Sequence, residues 1–159
     1  MYKRQGQLFY PVSGKSNAPW VPEVFGDAIL VNGKIFPYLD VEPRKYRLRV
    51  LNASNARFFH LSFANGVSFS QIGTDQGLLS APVPLKALMI APGERVDLVI
   101  DFSGHRGEEM ILKNDAFIVM QFRVSSDKVS DASVLPAALR PVPKIPESQA
   151  VKTLSLIHI

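Results

Sequence analysis

Apolar and polar residues alternate along much of this chain. In Tyr46 to Asn52 (YRLRVLN), Tyr46, Leu48 and Val50 fall on one side and Arg47 and Arg49 on the other. That is the period of a strand with one buried and one wet face. The same period places Val96, Leu98, Ile100 and Phe102 on one face of VDLVIDF, and Ile118, Met120, Phe122 and Val124 on one face of FIVMQFRV. From Arg57 to Phe63 it sets Phe59, Leu61 and Phe63 against Phe58, His60 and Ser62. Strands are predicted over 28–31, 34–41, 46–52, 57–64, 68–73, 87–90, 95–102, 110–114 and 116–124, with turn signals between them. Such regular spacing belongs to an all-β sandwich or barrel. Asn32-Gly33, between two apolar runs, predicts a type I′ hairpin, because both central residues of that turn need positive φ. Asn65-Gly66 predicts a second hairpin, joining 57–64 to 68–73. No long helical period and no internal repeat is visible. Leu48, Val50, Phe59, Leu61, Leu98, Ile100, Met120 and Phe122 are the expected core.

The pattern stops after Ser125, where the domain proper is expected to end. Residues 136–148 (PAALRPVPKIPES) hold four prolines, no period and no aromatic residue. They predict an extended, polyproline-like connector.

Composition narrows the picture modestly. The chain has 159 residues, enough for one domain with its own core. No apolar run reaches the ~18 residues of a spanning helix, and no charged segment followed by an apolar one suggests a signal peptide. The formal net charge is +4, but no Lys/Arg stripe interleaved with aromatics appears, so no nucleic-acid partner is expected. There is no cysteine, hence no disulfide.

Candidate chemistry is sparse. A blue-copper centre needs a thiolate beside two histidines, and the thiolate is missing. No His-x-His pair occurs. His60 lies on the wet face of its strand and reads as a surface or interface histidine. His105, in Ser103-Gly104-His105-Arg106-Gly107, reads as a solvated loop residue. Glu94, Arg95, Asp97 and Asp101 form a charged set. Asp97 and Asp101 share a face but lie roughly 13 Å apart along a strand, too far to share a proton. Ion pairing with Arg95 or Arg57 is expected instead. Asp75, Asn52, Ser54 and Asn55 are expected to cap local N–H groups in turns. No Ser-His-Asp order, P-loop, EF-hand loop or dinucleotide turn is present. No catalytic, cofactor-binding or metal-ligating residue is therefore assigned.

Particular wording goes further than the pattern. The block from Gly26 to Arg57 (GDAILVNGKIFPYLDVEPRKYRLRVLNASNAR) resembles the middle, second cupredoxin-like domain of three-domain multicopper oxidases of the bilirubin oxidase and spore-coat laccase type. Gly6 to Pro11 (GQLFYP), Gln71 to Leu79 (QIGTDQGLL), Ala91 to Phe102 (APGERVDLVIDF) and Met120 to Val124 (MQFRV) are similar to the same domain in the same order. The resemblance covers most of Gly6 to Thr153. It implies a Greek-key cupredoxin-like β-sandwich that is itself free of copper. It further implies a copper-dependent parent that oxidises phenolic, pigment-like or metal substrates and reduces dioxygen to water. The partners would be the first and third cupredoxin domains of the same chain, with no nucleic acid and no membrane. The parent's location stays open among extracytoplasmic space, periplasm and spore coat. A copper-free structural relative, acting as a scaffold for example in cell division, is the alternative. A free-standing β-sandwich binding module is a third.

Both ends look foreign. The codons GTG TAT AAG AGA CAG, read with a GTG start, give MYKRQ, and CTG TCT CTT ATA CAC ATC give LSLIHI. The first string is the reverse complement of the leading codons of the second. Both resemble the inverted end used by a transposase in sequencing-library preparation, and such scars are excluded from fold reasoning. Excluding Lys3 and Arg4 lowers the net charge from +4 to +2. Excluding His158 leaves His60 and His105. The expected organisation is adapter at 1–5, a lead-in segment at 6–25, the cupredoxin-like domain at 26–125 and a Pro-rich linker at 126–150. Residues 151–159 form the start of a third domain, adapter, or both, since Lys152 to Leu156 also suits that domain's opening strand. Neither end is expected to join the core. Phe9, Trp20 and Phe25 are expected on the surface.

Overall fold

The structure, a computed structural model, describes residues 12–155. The 1–5 segment, Gly6 to Pro11 with Phe9, and 156–159 lie outside the described residues. The described chain opens on a hairpin of β1 (Val12–Lys15) and β2 (Ala18–Trp20), followed by β3 (Leu30–Val31) and β4 (Lys34–Ile35). Asn32 and Gly33, at φ 49° and 81°, form the two-residue turn between β3 and β4. This is the I′ geometry that the sequence predicts. The single strand expected over 34–41 is broken, because Phe36 takes φ 46° just before Pro37. The chain resumes as β5 (Tyr38–Val41).

Then come β6 (Lys45–Leu51), β7 (Phe59–Phe63), β8 (Phe69–Thr74), β9 (Gly77–Leu85), β10 (Ala87–Ile90), β11 (Arg95–Asp101), β12 (Glu109–Asn114) and β13 (Phe117–Val124). Two sheets result. One has five strands in the order β10-β7-β12-β13-β5, the other four in the order β6-β11-β8-β9. All neighbours are antiparallel except β13 and β5, which run parallel with Gln121 opposite Tyr38.

The core lies between the sheets. Phe102, Phe122, Ile90, Ile100 and Met110 are its most enclosed side chains. Phe122 is central, with Phe102 at 5.2 Å and Phe63 at 5.9 Å between ring centroids. Leu61, Leu98 and Ile100 are buried as expected, while Leu48, Val50, Phe59 and Met120 are half-buried against the same cluster.

Three expectations fail for identifiable reasons. Asn65-Gly66 is a turn, with Gly66 N–H donating to the Phe63 carbonyl at 3.0 Å, but not a hairpin. It hands the chain from β7 in one sheet to β8 in the other, and Phe63 meets Phe69 edge-on across the core. β9 was not expected because Pro82 and Pro84 interrupt its pattern. It is an edge strand with β8 as its one strand neighbour, where proline's missing N–H is tolerated. In β13 a bulge opposite Leu112 and Lys113 breaks the alternation. Val119 turns inward and Ile118 is exposed, so the face assigned to Ile118 changes.

Beyond β13 the chain is extended, apart from one short helical turn at Glu147–Gln149. Leu154 and Trp20 are exposed, as expected of each.

Candidate functional site

Register decides what the charged residues do. Pairing of β11 with β6 sets Asp97 opposite Arg49, Val99 opposite Arg47 and Asp101 opposite Lys45. The Asp97 carboxylate accepts from the Arg47 guanidinium and lies 3.9 Å from Arg49 Nε. Lys45 Nζ sits 3.3 Å from Asp101 and 3.7 Å from Asp131. Partial burial pushes the Asp101 carboxyl upward, but hydrogen bonds from Ser103 and Lys45 outweigh it and hold the group below its ordinary range. The expected partners, Arg95 and Arg57, are therefore replaced by Lys45, Arg47 and Arg49, because cross-strand neighbours are set by register and not by sequence proximity. Each carboxylate has its own cation, so the pair has no arrangement for acid–base work.

Arg95 turns to Asp75 instead, at 3.0 Å, and its backbone N–H also donates to Asp75 at 3.0 Å. Asp75 thus caps across twenty residues rather than locally. Glu94 accepts from Ala91 N–H at 2.6 Å and closes the turn before β11. Gly73 faces Asp97 at a bulge, and a Cβ there would approach the Asp97 Cβ to 3.1 Å. Only glycine lets the two backbones come this close without displacement.

Asn52 is buried and does more than cap its own turn. Its Oδ1 accepts from Ser54 N–H at 3.0 Å, while its Nδ2 donates to the carbonyls of Arg57 at 2.8 Å and Ile90 at 3.0 Å. The last bond ties the end of β6 to β10 in the opposite sheet. Buried Asn114 plays a related part, accepting from His60 N–H at 2.7 Å.

The two described histidines are apart in role as in sequence. His60 is exposed, with Nδ1 3.4 Å from Asp115. His105 is half-buried in the turn after β11, with Nδ1 2.8 Å from Glu108. It is thus a turn-pinning residue more than a solvated one. Among the described residues, no three His, Cys, Asp or Glu side chains gather as a metal site. The described donor set does not fit a blue-copper centre, since the chain has no cysteine and the described residues bring no histidines together.

Sequence reasoning missed one cluster. Arg57 donates to the Gly26 carbonyl at 2.6 Å and lies over the rings of Phe25 at 5.3 Å and Phe117 at 5.2 Å. Both rings are about half exposed. No local signal links three residues so far apart in sequence. An open groove of about 440 Å³ is lined in part by Asp40, Glu42, Tyr46, Arg123 and Asp127. Two of its acids are paired locally: Glu42 with Arg44 at 2.8 Å, and Asp127, which accepts from the Ser125 hydroxyl at 2.9 Å.

Comparison with known proteins places this architecture. Residues 2–130 match the family model described as Multicopper oxidase. A laccase of Bacillus subtilis (strain 168) is 43% identical over 95% of this chain, which covers 33% of that relative. The multicopper oxidase LPR1 of Arabidopsis thaliana is 37% identical over 96% of this chain and 29% of its own length. Among solved structures, the 2F4 variant of the McoA multicopper oxidase from the hyperthermophile Aquifex aeolicus superposes with a TM-score of 0.80 at 35% identity, over 94% of this chain and 35% of that one. The chain spans about a third of the length of the relatives it matches.

Proposed function

The chain belongs to the multicopper oxidase family, and on that premise we propose that it is the second, copper-free cupredoxin-like domain of a three-domain oxidase. Residues 26–125 would form the domain, 126–150 the connector and 151–159 the approach to a third domain. The parent would oxidise phenolic, pigment-like or metal donors, passing four electrons and four protons to dioxygen to give two waters. Copper would supply that electron transfer, held by residues outside this chain.

The observation that carries this reading is a full sandwich core in a chain with no cysteine and, among the described residues, no cluster of metal-ligating side chains. The role left to this domain is mechanical: its core holds two sheets in register, and their outer faces present fixed surfaces to the domains on either side. The half-exposed Phe25–Arg57–Phe117 stack suits such a contact, being apolar and cationic at once.

Copper analysis tests the proposal directly. After incubation with copper and dialysis, the chain should retain no stoichiometric metal and show no absorption near 600 nm, roughly where copper–thiolate centres absorb. Retained copper with that band overturns the copper-free role. Gene sequence extended downstream should encode a His-Cys-His motif with an axial Met. A downstream cupredoxin domain without those ligands would favour a structural scaffold over an oxidase.

A further inference from the structure

The segment after β13 is not free of the domain. Asp131 Oδ2 accepts from the backbone N–H of Lys45 at 3.0 Å, at the first residue of β6. Its Oδ1 accepts from Ser133 N–H at 2.9 Å, which turns the chain. Lys45 Nζ adds a charge contact to the same carboxylate, and the Asp131 side chain is only 13% exposed. Eight residues on, Leu139 N–H donates to the Ser80 carbonyl on β9 at 2.9 Å. β6 and β9 are the two opposite edges of the four-stranded sheet.

The span fits a crossing of that sheet. Three interstrand steps amount to about 15 Å. Eight extended residues reach about 27 Å, which leaves room for a diagonal path. Val129, Leu135 and Leu139 are half-buried while most of their neighbours are exposed. Val99, on the outward side of central β11, is half-buried too, between exposed ends of the same strand. Proline helps explain why this segment lies on the sheet without becoming a fifth strand. Pro136, within the segment, has no N–H to offer a ladder, and Pro141 follows directly after it.

We propose that residues 129–140 are a built-in strap, latched by Asp131 to one edge of the four-stranded sheet and by the Leu139 N–H to the other, which fixes where and in what direction the chain leaves the domain. A flexible connector would allow the following segment a wide range of positions. A strap allows a narrow one. It also occupies backbone groups on both edges, which open sheets otherwise present to neighbouring chains. This inference does not depend on the copper-free reading and would hold for a scaffold protein equally.

Amide hydrogen exchange on the 159-residue chain tests it. The Leu139 amide should show a protection factor at least about tenfold above that of Val151, which is fully exposed. Asp131→Ala should lower the protection of Leu139 and Lys45 at least about threefold and leave Ile100, in the core, unchanged. Leu139 exchanging as freely as Val151 overturns the strap without any variant. So does an Asp131→Ala protein in which Leu139 and Lys45 keep their parental protection. So does one in which Ile100 loses protection as much as Leu139, since Asp131 would then serve global stability and not a latch.

Discussion

The two sheets of this sandwich share one core but finish their outer sides differently. The four-stranded sheet covers itself: Arg47, Arg49, Lys45, Asp97 and Asp101 form a ladder of ion pairs, and the 129–140 segment is bonded to both edges. Its exposed large apolar side chains are Leu51 and Val83. The five-stranded sheet exposes Tyr38, Leu39, Met89, Phe117 and Ile118, with Phe58 at its margin. The difference teaches where this chain is self-sufficient and where it is not. Charge pairing and a strap suffice where water is the neighbour, whereas a concentration of half-exposed apolar side chains marks a face suited to protein.

The strongest way to break the comparison is to attack what the sheets share. Phe122→Ala removes the ring that touches both Phe63 and Phe102 and should cost about 3–5 kcal/mol. Because the core is common, both sheets should melt together. Circular dichroism with chemical denaturant should show one transition at a lower midpoint, and two separated transitions would mean the sheets are independent. Next in size is Asn52→Ala, which deletes the amide that joins the end of β6 to the Ile90 carbonyl. The expected loss is about 1–3 kcal/mol, because that carbonyl is left buried and unpaired.

Smaller effects come from the charged ladder. Asp97→Asn should cost at most about 1 kcal/mol, and less in high salt, as partly exposed pairs do. Acid sharpens the same point. Asp101 has a folded pKa below its unfolded value of about 3.9, so it stabilises the fold above that pH and the contribution is lost as pH falls through the folded value. Asp131 is held well below the ordinary range as well, first by the Ser133 hydroxyl and then by the backbone N–H groups of Lys45 and Ser133. The groups facing this pair are Lys45, Ser103, Ser133 and, at longer range, Arg44. Melting temperature should therefore drop below about pH 4, and Asp101→Asn should flatten that slope.

The smallest change in stability, within about 0.5 kcal/mol, is expected for the double substitution Met89→Lys with Ile118→Lys on the five-stranded sheet. Self-association measured by sedimentation should nevertheless fall clearly. Leu51→Lys with Val83→Lys on the other sheet should change association much less. Equal effects from the two pairs would erase the distinction between the faces.

Much of the fold was legible because local signals carried it. Asn32-Gly33 declares its turn through φ alone, and Tyr46 to Leu51 and Arg95 to Asp101 alternate cleanly because each presents one face to water. β9 was hidden because an edge strand tolerates prolines that a central strand would not. The Val119 bulge was hidden because an extra residue in one strand has no composition of its own. The sheet change at Asn65-Gly66 could not be read either, since a turn does not record whether the strands it joins bond to each other. The ion pairs were recognisable in kind but not in partner, because partner choice follows register, which local sequence leaves open. Asp131 reads as an ordinary loop acid, and its latch on Lys45 spans 86 residues. The lack of a thiolate was legible from composition alone, since the chain has no cysteine.

The parallel pairing of β5 with β13 has a consequence for the order of assembly. β12 and β13 are neighbours in the chain and can meet early, since the loop to be closed between them is short. β5 can find its partner only when Gln121 to Val124 exist, with nearly the whole domain as the intervening loop. During synthesis Tyr38 to Val41 must therefore wait, unpaired, until the last strand has left the ribosome. The first strand of the five-stranded sheet to be made thus depends for its one ladder on the last to be made.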